Sequence, residues 1–274
     1  MARKFSLAHL TALKCPTPEL IYLAANAGYD YISPRLVNMG VAGEGNYDLS
    51  TQPALLAQTK KAMEYTGVGI HDIELMRILD GVNVKTYEAA MQVGAELGAK
   101  YVLSSVWTSN MSFAVEKFGE LCDLAAQYNL GVQLEFVTWA DVTTLKQAKA
   151  IIQAVNKKNA GIMVDTLHAH RSRVDPAELD ECPKEWFRFF HLCDGPKAIP
   201  DSREELIVIG RDARLYPGEG GINLASYISR LPEDAVCSIE LPHLAKAAEF
   251  GYAEHVRRCI ATAKSYFKKE GLAL

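Results

Sequence analysis

Five side chains stand out because of where they fall. Glu135 in QLEFV, Asp165 and His168 in VDTLH, His191 in FFHLCD and Glu240 in SIELP each interrupt or close a short apolar run. An unpaired carboxylate in such surroundings is costly, so each must be paired, protonated or bound to a metal. Taken singly, any of them is explained by a salt bridge to a loop arginine. Taken together, Glu135, Asp165, His191 and Glu240 offer three carboxylates and one imidazole, an oxygen-rich donor set for a divalent cation. A structural ion-pair cluster is the competing reading. Such a shell suits Mn²⁺ or Mg²⁺ and accommodates Co²⁺, and zinc also binds histidine together with carboxylates. A cation held there stabilises an oxyanion beside a carbonyl, and two flanking carboxylates can take a proton from one carbon and return it elsewhere.

The elements that must bring these residues together are short. Eight apolar, β-rich runs recur along the chain: 5–10, 29–36, 68–75, 100–107, 131–138, 160–167, 187–194 and 235–242. Between them lie segments such as QPALLAQTKKAMEYTG and SFAVEKFGELCDLAAQYN, whose apolar residues repeat at three- and four-residue intervals. Gly28, Gly67, Gly98 and Gly131 sit near the helix exits, where C-cap glycines are common. Strictly alternating strands and helices predict a (β/α)8 TIM barrel, an α/β fold occupying residues 1–274 as a single domain. In such a barrel all strand C-termini open on one face, so Glu135, Asp165, His168, His191 and Glu240 are expected to converge there. A doubly wound sheet would usually carry a phosphate-binding glycine turn after an early strand. The only comparable stretch, PGEGG at 217–221, lies in what reads as the longest loop, roughly 195–221.

Composition narrows the function classes. With 49% apolar and 23% charged residues the chain reads as an ordinary globular protein, and its net charge of -4 gives no general attraction for nucleic acid. No stretch approaches the run of about 20 apolar residues needed to span a membrane. The six cysteines are scattered without CxxC pairs, and the basic N-terminus is broken by His9, Thr11 and Lys14 before any secretory core forms, so a cytoplasmic protein with reduced core cysteines is expected.

The ordered set Glu135, Asp165-Thr-Leu-His168, His191, Arg214-Leu-Tyr-Pro-Gly-Glu-Gly220 and Glu240 resembles the xylose isomerase-like TIM-barrel superfamily. The resemblance is to its sugar isomerase/epimerase branch, with ketose 3-epimerases, hydroxypyruvate isomerase and inosose dehydratase. It spans almost the whole chain. It implies that Glu135, Asp165, His191 and Glu240 ligate the metal, that Glu135 and Glu240 are also the acid/base pair, and that His168 and Arg214 hold substrate oxygens. Asp141 matches a position where the epimerases carry a substrate-contacting Glu. The implied activity is isomerisation or epimerisation of a ketose or related polyhydroxy ketone, a small-molecule role in carbohydrate metabolism, with dehydration of an inosose or 3-dehydroshikimate type of compound as the alternative. A homo-oligomer is implied as well.

AP endonucleases share the barrel, but where they carry an Asp-x-His pair this chain reads Asp212-Ala-Arg214, and a guanidinium is not a practical metal ligand. A non-catalytic binding role would more plausibly have lost one of the four ligands. His9 and His71 read as satisfied core histidines or pocket residues. Arg35, Glu74 and Arg77 read as substrate contacts or as partners of one another. Trp107 and Trp139 are candidate apolar walls, and His243 a candidate partner of the ligands.

Overall fold

The computed structural model describes residues 2–274. Nine parallel strands, β1 (Phe5–Ala8), β2 (Tyr31–Ser33), β3 (Gly69–Ile70), β4 (Asp72–Leu79), β5 (Tyr101–Trp107), β6 (Gly131–Glu135), β7 (Ala160–Asp165), β8 (Phe189–Leu192) and β9 (Val236–Ile239), form one sheet in the order β3-β2-β1-β9-β8-β7-β6-β5-β4. The two ends of that order are one run of chain. The third apolar run divides at His71, its first half pairing with β2 and its second with β5, so the ring of a TIM barrel is closed by the strand itself and by a bridge between Arg35 and Glu74. The expected eight strands are therefore present, with the third one split.

The helices are α1 (Thr17–Ala27), α2 (Pro53–Thr66), α3 (Glu88–Glu96), α4 (Met111–Gln127), α5 (Leu145–Val155), α6 (Thr166–Arg171), α7 (Arg203–Asp212), α8 (Leu224–Ile228) and α9 (Leu244–Lys269). In α4 the residues Ala114, Phe118, Leu121, Cys122 and Ala125 are buried, the spacing by which one helical face reaches the barrel. Strands covered on both sides need no polar face, and β1, β7, β8 and β9 are buried at every position. Inside the ring a separate apolar cluster of Leu75, Leu103, Met163, Phe189 and Val236 plugs the tube. Phe189 and Val236 open their strands, so the plug leaves the opposite, C-terminal mouth for polar groups. All six cysteines are free and buried, and no helix among the described residues is long and apolar enough to cross a membrane.

The long connection after β8 is not the loop expected over 195–221. It contains α7, whose start was encoded by Ser202 with Glu205 three residues on, and the Ser202 hydroxyl accepts a hydrogen bond from the Glu205 N–H at 3.2 Å. Its glycine stretch has a structural use. The buried Asp194 carboxylate accepts the backbone N–H groups of Gly218 (3.0 Å), Gly220 (3.0 Å), Gly195 (2.8 Å) and Ile222 (3.2 Å). These donors are thereby used within the chain, and the loop is folded back on the end of β8. A Cβ at Gly220 would lie 2.2 Å from Asp194 Oδ1 and 2.3 Å from the Gly195 carbonyl oxygen. Gly220→Ala is expected to cost about 1–3 kcal/mol through overpacking and lost hydrogen bonds, read as a lower midpoint in thermal denaturation. An unchanged midpoint would show that the loop is not held by Asp194.

Candidate metal centre and substrate pocket

Four strands deliver the site. Glu135 and Asp165 are the last residues of β6 and β7, His191 lies within β8, and Glu240 follows β9 directly. One ligand atom from each of these four buried residues lies within 4.8 Å of the others. The Asp165 side chain also caps α6, with Oδ1 accepting the N–H groups of Leu167 at 2.7 Å and His168 at 3.2 Å. This turns the chain at the strand end and places His168 over the cluster.

Arg214 knits the group together. Its Nη1 donates to Asp165 Oδ2 at 2.6 Å and its Nη2 lies 2.8 Å from Glu240 Oε2, while Nε is spent on the Gly210 carbonyl at 2.7 Å. Each of its nitrogens thus has a protein partner, and the direct effect of Arg214 is to hold two carboxylates in place. Burial alone would raise both acids, but Arg214 holds Asp165 and, with His191, Glu240 below the usual carboxylate range. Glu135 has no such partner, and burial together with the charge of Glu240 pushes it well above that range. Against the opposing effect of burial, Glu240 and Glu135 raise His191 to about 10. Its Nδ1 lies 3.5 Å from Glu240 Oε2, an ion contact only, since neither ring nitrogen makes a hydrogen bond. Two anions thus face two cations, and the remaining carboxyl is neutral.

An imidazole with both nitrogens buried and unbonded, among carboxylate oxygens, is a donor set that a divalent cation completes. The residues present fit such an ion. His168 is arranged differently. Its Nδ1 accepts from the Thr138 N–H at 3.3 Å and lies 3.0 Å from the Thr138 hydroxyl. Burial lowers it to about 4, so it is neutral with its proton on Nε2. It lines the cavity that Glu135, Arg214 and Glu240 also line, and is a hydrogen-bond donor there.

The other expected residues separate. Asp141 is exposed and is not among the residues lining this cavity; its backbone is held by the Val106 carbonyl at 3.2 Å. His9 is a satisfied core histidine, bonded through Nε2 to the Cys15 carbonyl at 2.8 Å and through Nδ1 to the Arg35 N–H at 3.0 Å. Arg35 and Glu74 pair at 3.3 Å and both face the cavity, as do Trp107 and Trp139. His243 caps α9 by accepting the Lys246 N–H at 3.3 Å. Asp72 was passed over, although HDIEL in the third run carries the same signal as the four ligands: an acid within an apolar strand. Buried and bonded by the Ser33 hydroxyl at 2.5 Å, it is raised to about 7 by burial.

Known proteins place this arrangement in context. The profile of the family described as Xylose isomerase-like TIM barrel matches residues 21–262. The Inosose isomerase of Bacillus subtilis (strain 168) is 26% identical over 173 residues, 58% of this chain and 59% of that protein, so the match spans about three-fifths of the relative's length. The 3-dehydroshikimate dehydratase of Pseudomonas aeruginosa is 26% identical over 155 residues, 54% of this chain and 24% of that protein. The crystal structure of IOLI protein with a binding zinc atom superposes with a TM-score of 0.80 at 20% identity, covering 97% of this chain and 99% of that one. That likeness bears on the fold.

Removing Arg214 would leave Asp165 and Glu240 buried beside one another without the guanidinium that pairs with both. Arg214→Ala is expected to lose about 3–5 kcal/mol at neutral pH, the usual cost of breaking a buried pair by deleting one partner. Urea denaturation reads it directly, and a loss below about 1 kcal/mol would mean that the carboxylates do not depend on Arg214.

Proposed function

The chain belongs to the xylose isomerase-like TIM barrel family, and on that premise we propose that it is a divalent-metal-dependent isomerase or epimerase of a ketose or related polyhydroxy ketone. The reaction would move a proton next to a carbonyl through an enediolate. One observation carries the reading: Glu135, Asp165, His191 and Glu240 meet at the strand ends with the His191 nitrogens unsatisfied. These four residues would hold the cation, with Mn²⁺ or Mg²⁺ favoured by the oxygen-rich set and Co²⁺ or zinc compatible with it. When bound, it supplies Lewis-acid stabilisation of the oxyanion that develops as the proton leaves.

The chain's own residues supply the rest. Glu135 and Glu240 come from strands three places apart in the ring and flank the position of a substrate carbon. Their environments differ: Glu240 is kept ionised by Arg214 and His191, whereas Glu135 holds its proton in the metal-free site. Glu240, held ionised by Arg214 and His191, suits the base of the pair. His168 donates from Nε2 toward a substrate oxygen, its ring fixed by Thr138. Trp139 packs edge-on against the His168 ring at 4.7 Å and, with Leu10 and Val137, forms an apolar wall of the chamber.

A second reading, dehydration of a cyclic keto compound, uses the same groups, with an acid-form glutamate protonating a departing hydroxyl. The matched stretch of the 3-dehydroshikimate dehydratase and the apolar walls of the cavity favour it as the alternative.

Cation binding must displace protons. In the metal-free site burial and Glu240 push Glu135 toward its protonated form, and Glu240 and Glu135 push His191 toward its charged form, whereas a ligand histidine must be neutral and a ligand carboxyl ionised. Losing one proton from each on gaining a divalent cation keeps the buried site electrically balanced. Affinity is therefore expected to rise with pH between about 6 and 8, with proton release seen by calorimetry in buffers of different ionisation enthalpy. A pH-independent affinity without proton release would contradict the ligand assignment.

Turnover is read by proton NMR in deuterated water with Mg²⁺, using ketoses, inosose and 3-dehydroshikimate and a chelator control. Chelator-sensitive deuterium exchange with a new isomer is expected, and Glu240→Gln should lower its rate by about 100-fold or more, the scale of general acid–base catalysis. New olefinic signals would mean the dehydratase, and undiminished exchange in Glu240→Gln would remove that residue from the mechanism.

A further inference from the structure

The cavity above the carboxylate cluster has an uneven lining. Leu10, Met39, Val41, Leu75, Val137 and Trp139 give it broad apolar walls. A neutral sugar pressed against them would strip water from several hydroxyls without replacing those bonds. Polar groups away from the cluster are few, and most are already engaged. Arg35 pairs with Glu74 and lies 3.7 Å from Glu44. The Ser105 hydroxyl accepts the Trp107 indole N–H at 2.8 Å.

Arg211, unlike Arg35, has no carboxylate partner among the described residues. The residue lines both the inner chamber and an adjoining outer cavity, which share Leu10, Val41 and Arg211, so it stands where the two adjoin. It makes no hydrogen bond or ion pair among the described residues. The charges acting on it are chiefly arginines, Arg35, Arg77 and Arg203, against the carboxylate of its chain neighbour Asp212; burial and those arginines lower its pKa. Arg211 sits in the last turn of α7, where a cation is mildly favoured by the helix dipole. The dipole does not explain why the residue lines an apolar chamber beside other cations. The helix holds it there: Gly210 packs so closely on Trp139 that a Cβ would lie 2.3 Å from that ring, and Arg171 donates to the Leu206 carbonyl at 3.0 Å.

We propose that Arg211 recognises an anionic group of the substrate, which is then an α-hydroxy ketone bearing a carboxylate or phosphate rather than a neutral sugar. The inference rests on the reaction proposed above and names the substrate class for the same site. The cluster end receives the carbonyl and its neighbouring hydroxyl. The planar fork of Arg211 takes the charged end, where a carboxylate or phosphate oxygen pair matches it. The apolar walls then face the carbon skeleton, and the excess positive charge where the two cavities adjoin is neutralised on binding.

The test is calorimetric binding to Mg²⁺-loaded protein of two pairs that differ in charge: 3-dehydroshikimate against its methyl ester, and xylulose 5-phosphate against xylulose. At least one anionic probe is expected to bind about tenfold or more tightly than its neutral counterpart, the scale of one charge-assisted hydrogen bond; the pair that shows it identifies carboxylate or phosphate. Arg211→Gln should remove the preference while leaving Mg²⁺ affinity and the neutral probe unchanged. Arg211→Lys, which keeps the charge without the fork, should show a reduced preference and serves if the Gln variant does not fold. No preference in either pair, or a preference undiminished in a folded Arg211 variant, overturns the proposal. Deuterium exchange on the same samples separates the two readings: a preference without exchange removes the proposed reaction and leaves Arg211 in place, and exchange without a preference does the reverse.

Discussion

Buried carboxylates must be compensated, and much of this molecule is organised by how that is done. Asp165 and Glu240 share one guanidinium, Arg214, whose remaining contacts are the backbone of Gly210 and Glu240 and the sulfur of Cys193. Arg214 is itself placed by the segment after α7, where Ala213 bridges to His243 and the Arg214 N–H meets the Pro242 carbonyl at 3.1 Å. The pair is therefore assembled only when the last strand and the preceding connection have closed on β7. An interior ion pair contributes little net stability but is expensive to break, so it specifies the closed arrangement more than it strengthens it.

The barrel divides its interior to make this affordable. Apolar side chains fill the lower tube, and the metal-site carboxylates stand at strand ends, where main-chain turns can bond them. Asp165 illustrates the economy: one oxygen starts a helix and the other faces Arg214. Asp194 does the same one strand later, anchoring the glycine loop that follows α7. An aspartate at the end of β7 and another two residues beyond β8 thus each direct the next connection, and the first also belongs to the cluster.

Glu135 and Glu240 show how position alone separates chemically identical groups. Both are buried and both border the same cavity, yet Arg214 and His191 make ion pairs with Glu240 and not with Glu135. A site that is electrically balanced without a cation, and can be balanced again with one by releasing protons, avoids stranding charge in either state.

The sequence by itself determined the alternation of strands and helices, hence the barrel, and it marked Glu135, Asp165, His191 and Glu240 as acids and a base within apolar runs. Both signals are local: burial on two faces leaves an unbroken apolar run, and a polar interruption at its end is visible without knowing its partner. The start of α7 at Ser202 was equally local and was overlooked, as was Asp72. The tertiary arrangement alone shows that Arg214 is engaged by two carboxylates, that Arg211 pairs with none among the described residues, that Asp141 is exposed and outside the cavity lining, and that the third strand divides at His71 to close the ring. Those outcomes depend on which side chains from distant strands meet once the barrel closes, and ring closure is a property of the whole chain that no window of sequence contains.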